Sequence, residues 1–393
     1  MTYGGTSDGT TRYGALLVAV LLVALNHRPG VASIAPVLET IRADLGLGHA
    51  AAGLLTTLPV LCMGLFPVIA ARLAERIGLE RALLAALGLI SLATAARLVG
   101  TETVLFASSL LIGIAVAANQ TLAPAFIKRR FERPLVVMGF YATTITVGAG
   151  LPAALTVPLM RATESWQGAL AFWAVPGIVA ALVWWRVVGL QPGAPATSTR
   201  GTPWRTTRGW LIAFLSSGAF GTFFGVLAWT APLYQEQGWS PERASLLLTV
   251  VIACQITGNL VFALLAQRAA DRRGWMVLAL SVLIAGIAGM ALAPLASPWL
   301  WAALTGLGGG GLFPLAMNLP LDNADDPVDV ARLTAMAQSA GYLLAAPLPA
   351  LLGWLRAASG GFATPYLFLV AFCVALILGV TALRPRAGPS RLA

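Results

Sequence analysis

The chain of 393 residues carries 25 basic and 15 acidic side chains, and 58% of its residues are hydrophobic. Charged residues make up 10% and the mean hydropathy is +0.82, whereas an ordinary soluble domain is about one-quarter charged. This composition excludes a water-soluble globular fold and predicts an integral membrane protein. In such a protein the net charge of +10 is a topology signal rather than evidence for nucleic-acid binding.

Twelve apolar runs are long enough to cross a bilayer as helices, which takes roughly 20 residues each. The first run follows Arg12 and begins like a signal peptide, but apolar residues resume after Pro29 without a small-residue cleavage site. We therefore assign an all-α integral membrane fold with twelve transmembrane helices in two bundles of six. In chain order the runs cover about 13–36, 49–71, 82–99, 103–127, 135–159, 168–189, 209–234, 244–266, 275–294, 298–320, 332–355 and 362–383.

The distribution of Lys and Arg predicts the orientation of these helices. With the N-terminus inside, nineteen of the 25 basic residues fall in inside loops and tails and four in outside loops, while Arg28 and Arg97 lie within spans. Both termini are therefore expected in the cytoplasm. A segment rich in Pro, Gly, Ser and Thr at 191–207 separates an N-terminal bundle at 1–190 from a C-terminal bundle at 208–393.

Metal and disulfide chemistry find little support in the sequence. Cys62, Cys254 and Cys373 stand singly in apolar runs, and the chain has two histidines, His27 and His49. We therefore expect buried free thiols, no metal site and no cofactor.

The two halves share a repeated loop. The segment RLAERIG at 72–78 recurs as RAADRRG at 268–274, almost half a chain later. Parallel repeats of six helices are typical of one transporter architecture. The repeated R-x-A-(E/D)-R-x-G pattern resembles the cytoplasmic motif of the major facilitator superfamily. Three further segments, at 25–47, 121–131 and 331–353, are similar to the cyanate and 2-nitroimidazole transporter family.

The resemblance implies a secondary transporter of the bacterial inner membrane that works by alternating access and moves a small, often anionic or nitroaromatic solute. It also implies that both loops form salt bridges and helix-end contacts at the cytoplasmic face, with glycines permitting the tight turns. Arg129 or Arg130 is the expected partner of Glu75. The residues implied in this gating role are Glu75, Arg76, Gly78, Arg129, Asp271, Arg272 and Gly274.

Arg28 is the main candidate for solute binding. It lies about 15 residues into the first span, roughly 22 Å along the helix, where a charge costs at least about 2.5–3.5 kcal/mol. The acidic residues all lie at helix ends or in loops, so the charge requires another partner. Two readings remain open: a contact to an anionic solute, or a structural clamp on backbone carbonyls. Pro29 and Gly30 weaken the helix beside it, as is tolerated where backbone lines a cavity.

The neighbours of Arg28 complete a polar cluster. His27 either hydrogen-bonds as a neutral ring or carries a coupled proton, and Asn26 lies beside it. Arg97, at the end of the third helix, is expected to reach the outer surface and is left out of the site. Further candidates for solute contact, with helix packing as the alternative, are Tyr141, Gln338, Tyr342 and Phe224.

The predicted function is secondary transport of a small solute, most simply a cyanate-like or small organic anion, and not enzymatic catalysis. The alternative is a proton-coupled exporter of drug-like compounds such as nitroimidazoles. It is favoured by the aromatic residues and by the segment at 139–152, which resembles the glycine-proline motif often found in helix five of drug antiporters. The expected partners are the solute, membrane lipid and, if His27 titrates, a proton; we expect no nucleic acid and a monomer. The run GLGGGG at 306–311 predicts close helix packing rather than a dinucleotide site.

Overall fold

The computed structural model describes residues 6–189, 203–269 and 271–383, so most of the predicted linker lies outside the described residues. The described part of the chain falls into two compact units. The first comprises the described residues of Met1–Glu132 and Phe140–Thr199, and the second those of Arg133–Gly139 and Arg200–Ala393. Each unit is built from helices.

The first unit contains ten α-helices. The start of the eighth, up to Gly139, belongs to the second unit. Short 3-10 helices at Ala35–Val37 and Arg97–Val99 follow two of them. The α-helices are α1 Thr6–Leu25, α2 Pro29–Ala32, α3 Leu38–Leu45, α4 His49–Leu65, α5 Pro67–Ile77, α6 Leu79–Ala96, α7 Glu102–Arg130, α8 Pro134–Thr163, α9 Trp166–Ala171 and α10 Ala174–Val188.

Helix α7 forms the centre of the first unit, and α4, α5 and α6 pack against it. Most of its length from Leu105 to Ile127 is buried. Helix α10 packs on α1 and α6, and its Trp184 ring lies 4.7 Å from the Phe126 ring of α7. An apolar helix buried on nearly all sides is expected only in the core of a large bundle, which explains why α7 shows no amphipathic face.

The second unit contains seven α-helices, preceded by a 3-10 turn at Pro203–Arg205. Helix α14 packs between α12 and α13, while α11 packs on α15. The α-helices are α11 Thr207–Glu236, α12 Pro241–Ala266, α13 Arg273–Leu292, α14 Pro298–Asn323, α15 Pro327–Ala345, α16 Leu348–Ser359 and α17 Ala363–Ala382.

The glycine run of α14 explains this close packing. A Cβ atom on Gly306 or Gly310 would collide with the backbone of α12, and one on Gly308 would collide with the backbone of α13. Gly306 and Gly310 therefore face one neighbour and Gly308 faces the other, which lets both helices approach. This agrees with the helix-packing interpretation of the run.

Within the described residues, eleven helical stretches are long and apolar enough to cross a membrane. The pair Ala51–Leu65 and Pro67–Ile77, bent by 56°, makes a twelfth if it counts as one span. The bend falls where Pro67 occupies the first position of α5 and lacks the N–H group needed to continue α4. The all-helical, twelve-span architecture predicted from the sequence is confirmed on this count.

Candidate functional site

The first span is broken at the residues that the sequence analysis selected. Helix α1 ends at Leu25 and α2 begins at Pro29 with Arg28 as its N-cap. The turn between them keeps a few backbone hydrogen bonds that do not continue either helix, including that from His27 N–H to the Ala24 carbonyl at 3.2 Å. Because Pro29 has no N–H and α2 is four residues long, several backbone carbonyls here need partners from outside the helix.

Arg97 supplies one of these partners. Its side chain is 1% exposed, and Nη1 donates to the Gly30 carbonyl at 2.7 Å. The same guanidinium donates from Nε to the Ser108 hydroxyl at 3.1 Å and from Nη2 to the Ser109 hydroxyl at 3.2 Å. The expectation that Arg97 reaches the outer surface is therefore wrong. A backbone carbonyl freed by the helix break and two buried hydroxyls hold the guanidinium inside the unit instead.

Arg28 differs from Arg97 in both burial and bonding. It is half-buried, and in the part of the chain that the structure describes its guanidinium makes no hydrogen bond or ion pair with protein atoms. The carbonyl clamp that was one reading of Arg28 is formed by Arg97.

His27 and Tyr141 form a buried pair beside Arg28. Nδ1 of His27 lies 3.0 Å from the Ala24 carbonyl oxygen, and Nε2 lies 3.1 Å from the Tyr141 hydroxyl. A carbonyl oxygen only accepts, so Nδ1 carries a proton. Nε2 accepts from the Tyr141 hydroxyl when the ring is neutral and donates to its oxygen when the ring is protonated. The rings meet edge to face with centroids 5.5 Å apart. The imidazole is therefore oriented by bonds at both of its nitrogens.

Asn26 faces a different neighbour. Its Nδ2 donates to the Leu22 carbonyl at 2.8 Å and to the Pro176 carbonyl at 3.2 Å, which ties α1 to α10. Its Oδ1 is buried and has no hydrogen-bond partner among the described residues. The structure thus brings Tyr141 to His27, which precedes Arg28 in the chain, and gives Asn26 a contact between helices.

Two of the three candidates in the second unit are aromatic, and each packs on a different ring. Tyr342 is 2% exposed and stacks on Phe220 with ring centroids 4.3 Å apart and planes at 9°. Gln338 lies one turn earlier on the same face of α15 and is also buried. Phe224 is half-buried and packs edge to face on Phe223, 5.4 Å away. Tyr342 therefore has a ring partner that was not among the predicted contacts, and Phe224 packs separately.

The first of the two repeated loops turns as expected. Gly78 has φ of 92° between α5 and α6, a conformation that side chains rarely adopt. Glu75 is half-buried and Arg76 is exposed in the last turn of α5. The second loop differs, because Gly274 lies inside the first turn of α13 and its φ is not positive. The expectation of a glycine turn at Gly274 is wrong.

An acidic residue that the sequence analysis did not select organises the end of α7. Glu80, 1% exposed at the start of α6, forms ion pairs with Arg129 and Arg130. The Nη2–Oε1 distance for Arg130 is 3.3 Å, and the Glu80 carbonyl accepts from Trp184 Nε1 at 3.1 Å. The two arginines expected to pair with Glu75 thus have Glu80 as a partner. In the sequence, Glu80 is recognisable as an acidic residue two positions after the loop glycine, Gly78.

The charged residues of the second loop bond within the second unit. Arg272 pairs with Asp322 at the end of α14, and Asp271 accepts hydrogen bonds from Arg273, whose Nη2 lies 2.8 Å from Oδ2. Hydrogen bonds from the Arg273 side chain and backbone hold the pKa of Asp271 below its usual range. These bonds fix the entry of the chain into α13.

Known proteins support the transporter architecture. The family model described as the Major Facilitator Superfamily matches residues 20–227 and 209–392. The chain is 33% identical to the cyanate transport protein CynX of Escherichia coli (strain K12) over 93% of this chain and 96% of that protein. It is 31% identical to the 2-nitroimidazole transporter of the same organism, over 93% of this chain and 94% of that protein.

A solved structure with the same fold is that of the proton:xylose symporter XylE. It superposes with a TM-score of 0.77, covers 96% of each chain and shares 14% sequence identity. At that identity the similarity establishes the arrangement of helices and carries no information about the solute.

Proposed function

The chain belongs to the major facilitator superfamily, and from that premise we propose that it moves a small anion, cyanate or a small organic anion, across the cytoplasmic membrane. Members of this superfamily are multi-pass membrane transporters and not enzymes, and alternating access is their general mode of action. The 33% identity to a cyanate transport protein along nearly the whole chain supports an anionic solute. The excess of Lys and Arg in alternate loops supports an orientation with both termini in the cytoplasm.

The proposal rests on a difference in hydrogen bonding between two arginines, Arg97 and Arg28. A cation within a span must be compensated, because insertion alone costs at least about 2.5–3.5 kcal/mol. Arg97 is compensated by Gly30 and two serine hydroxyls, whereas Arg28 has no such protein partner in the described residues. An anionic solute reaching the helix break would supply the missing counter-charge, and a guanidinium offers it two parallel N–H donors.

His27 and Tyr141 have a supporting role in this proposal. Their hydrogen bond fixes the imidazole beside Arg28 without neutralising the guanidinium, since neither an imidazole nor a phenol hydroxyl carries a negative charge. A coupled proton would enter at Nε2, which would then donate to the Tyr141 oxygen instead of accepting from it. His27 is therefore the group we assign to proton coupling, if the transport is proton-coupled.

The proposal is tested by uptake of isotopically labelled cyanate into proteoliposomes, with small carboxylates as competitors. Arg28→Gln removes the charge but keeps a donor, and the loss of a charge-assisted hydrogen bond should raise the half-saturating concentration about 10- to 150-fold. Arg28→Lys retains the charge, and its half-saturating concentration should fall between those of wild type and Arg28→Gln. The control Arg42→Gln removes a half-buried arginine whose Nε lies 2.7 Å from Oε2 of Glu39, and it should leave uptake unchanged. Equal uptake by Arg28→Gln and wild type, or no effect of any anion, would refute the proposal.

A second candidate function is proton-coupled export of nitroimidazoles. It is supported by the 31% identity to a 2-nitroimidazole transporter over 93% of this chain. This alternative predicts that an imposed pH gradient drives nitroimidazole movement, and that Arg28→Gln leaves it intact.

A further inference from the structure

A basic cavity of ≈ 690 Å³ lies in the second unit, where α11 and α15 begin and α14 ends. Arg205, Arg208 and Arg332 line it, together with one carboxylate, that of Asp329. Nε of Arg208 donates to Oδ1 of Asn323 at 2.5 Å, which fixes that guanidinium at the wall of the cavity. None of these residues belongs to the candidate solute site.

The chemistry of the lining favours an anion with several oxygen atoms. Three guanidinium groups exceed the single carboxylate, and arginine binds phosphate through two parallel N–H bonds. The cavity also contains the first turn of α11, a helix of 30 residues whose N-cap Thr206 accepts from Gly209 N–H at 3.0 Å. The partial positive charge of a helix N-terminus adds to the attraction for a negative group.

Two tryptophans beside the cavity indicate its depth relative to the membrane. Trp204 and Trp210 are 38% and 47% exposed, and their rings meet edge to face 5.7 Å apart. Nε1 of Trp210 donates to the Trp204 carbonyl at 3.1 Å, so the pair is fixed on the chain that leads into α11. Exposed tryptophans at the end of a transmembrane helix are typical of the headgroup region, where basic pockets bind anionic lipid headgroups.

We infer that this cavity binds a phosphate group, carried by an anionic phospholipid headgroup or free in solution. The tryptophan pair places the site at headgroup depth and favours the lipid as the source. The bound phosphate would join the start of α11 to the start of α15 through Arg205 and Arg332. The inference does not depend on the identity of the transported solute.

The test is a titration of the purified, delipidated full chain in uncharged detergent, with the rise in unfolding temperature as the readout. Short-chain phosphatidylglycerol, short-chain phosphatidylcholine and inorganic phosphate are added separately. The variant Arg205→Gln/Arg332→Gln should raise the apparent dissociation constant by about fivefold for each arginine, hence about 25-fold. Arg205→Gln alone, at an exposed position, serves if the double variant does not fold.

The matched control, Arg186→Gln/Arg268→Gln, removes the same charge from two exposed positions that do not line the cavity. It should change the dissociation constant less than about twofold. A response to phosphatidylglycerol that is lost in the cavity variants supports the inference with lipid as the source. A response to inorganic phosphate with the same dependence supports it with free phosphate as the source. Equal losses in cavity and control variants, equal responses to both lipids, or no response to any phosphate would overturn it.

Discussion

Replacing Arg97 by methionine should destabilise the first unit, because three donors disappear from a buried position. Helix α2 ends at Ala32, so in the described residues no backbone donor continues to the Gly30 carbonyl, and Arg97 supplies the hydrogen bond at 2.7 Å. An unsatisfied buried carbonyl costs about 1–3 kcal/mol, and the lost bonds to Ser108 and Ser109 add about 0.6 kcal/mol each. Removing the buried cation also relieves its own desolvation, which offsets part of the loss. We therefore expect the free energy of unfolding to fall by about 2 kcal/mol.

The measurement is reversible unfolding of the purified protein in mixed micelles. Ser109→Ala breaks one of the same bonds and should cost about 0.6 kcal/mol, less than the methionine variant. Arg161→Met, at an exposed position in α8, is the control and should stay within about 0.5 kcal/mol of wild type. If Arg97→Met were as stable as this control, the guanidinium would not be holding the break in the first span, and the explanation of Arg28 as the free cation would lose its basis.

Three further predictions concern residues whose contacts are defined. Tyr141→Phe removes the hydroxyl that binds His27 at 3.1 Å, so unfolding free energy should fall by about 0.5–1.5 kcal/mol and the pH profile of transport should shift. Gly308→Ala should cost about 1–3 kcal/mol because its Cβ would meet the backbone of α13, whereas Gly309→Ala, with Leu283 Cδ1 at 4.0 Å, should be tolerated. Glu80→Gln should cost about 1–2 kcal/mol, since the two half-exposed arginines at the end of α7 lose a buried carboxylate but can be hydrated.

Each of these variants has a result that would contradict its explanation. An unchanged pH profile in Tyr141→Phe would separate His27 from proton coupling. Equal stability of Gly308→Ala and Gly309→Ala would mean that α13 moves away at little cost. The control for Glu80→Gln is Glu132→Gln, which alters an exposed carboxylate near the same arginines. If both changes had the same effect on stability, the Glu80 ion pairs would contribute no more than a surface charge does.

The number of spans and the position of the helix break could be predicted, because both depend on local chain chemistry. Hydrophobic length determines whether a helix crosses the bilayer, and Pro29 removes a backbone donor wherever the rest of the chain lies. Gly78 is similar, since a glycine between two apolar runs is the residue that adopts positive φ. Gly274 occupies the same place in the repeat yet lies in α13, because Arg272 and Arg273 are bonded to nearby aspartates and the helix starts earlier.

The partners of buried charges could not be predicted, because they depend on which helix faces lie together. Arg97 looked able to reach water by its position along the third helix, but its rotation about the helix axis points it at Gly30 and at Ser108 and Ser109. Glu80 is similar, since its position at a helix start does not reveal that α7 and α10 cover it. Spacing along the chain gives depth in the membrane, whereas direction within the bundle requires the packing.

The most direct test of the central proposal is equilibrium binding of a small anion to the purified protein, followed by its effect on thermal unfolding. At a hundredfold excess over the dissociation constant, a ligand specific for the folded state adds about 2.7 kcal/mol of stability. Cyanate or a small carboxylate should produce this stabilisation in wild type and in Arg42→Gln, and lose it in Arg28→Gln. If the anion stabilised Arg28→Gln as strongly as wild type, Arg28 would not be the anion-binding residue.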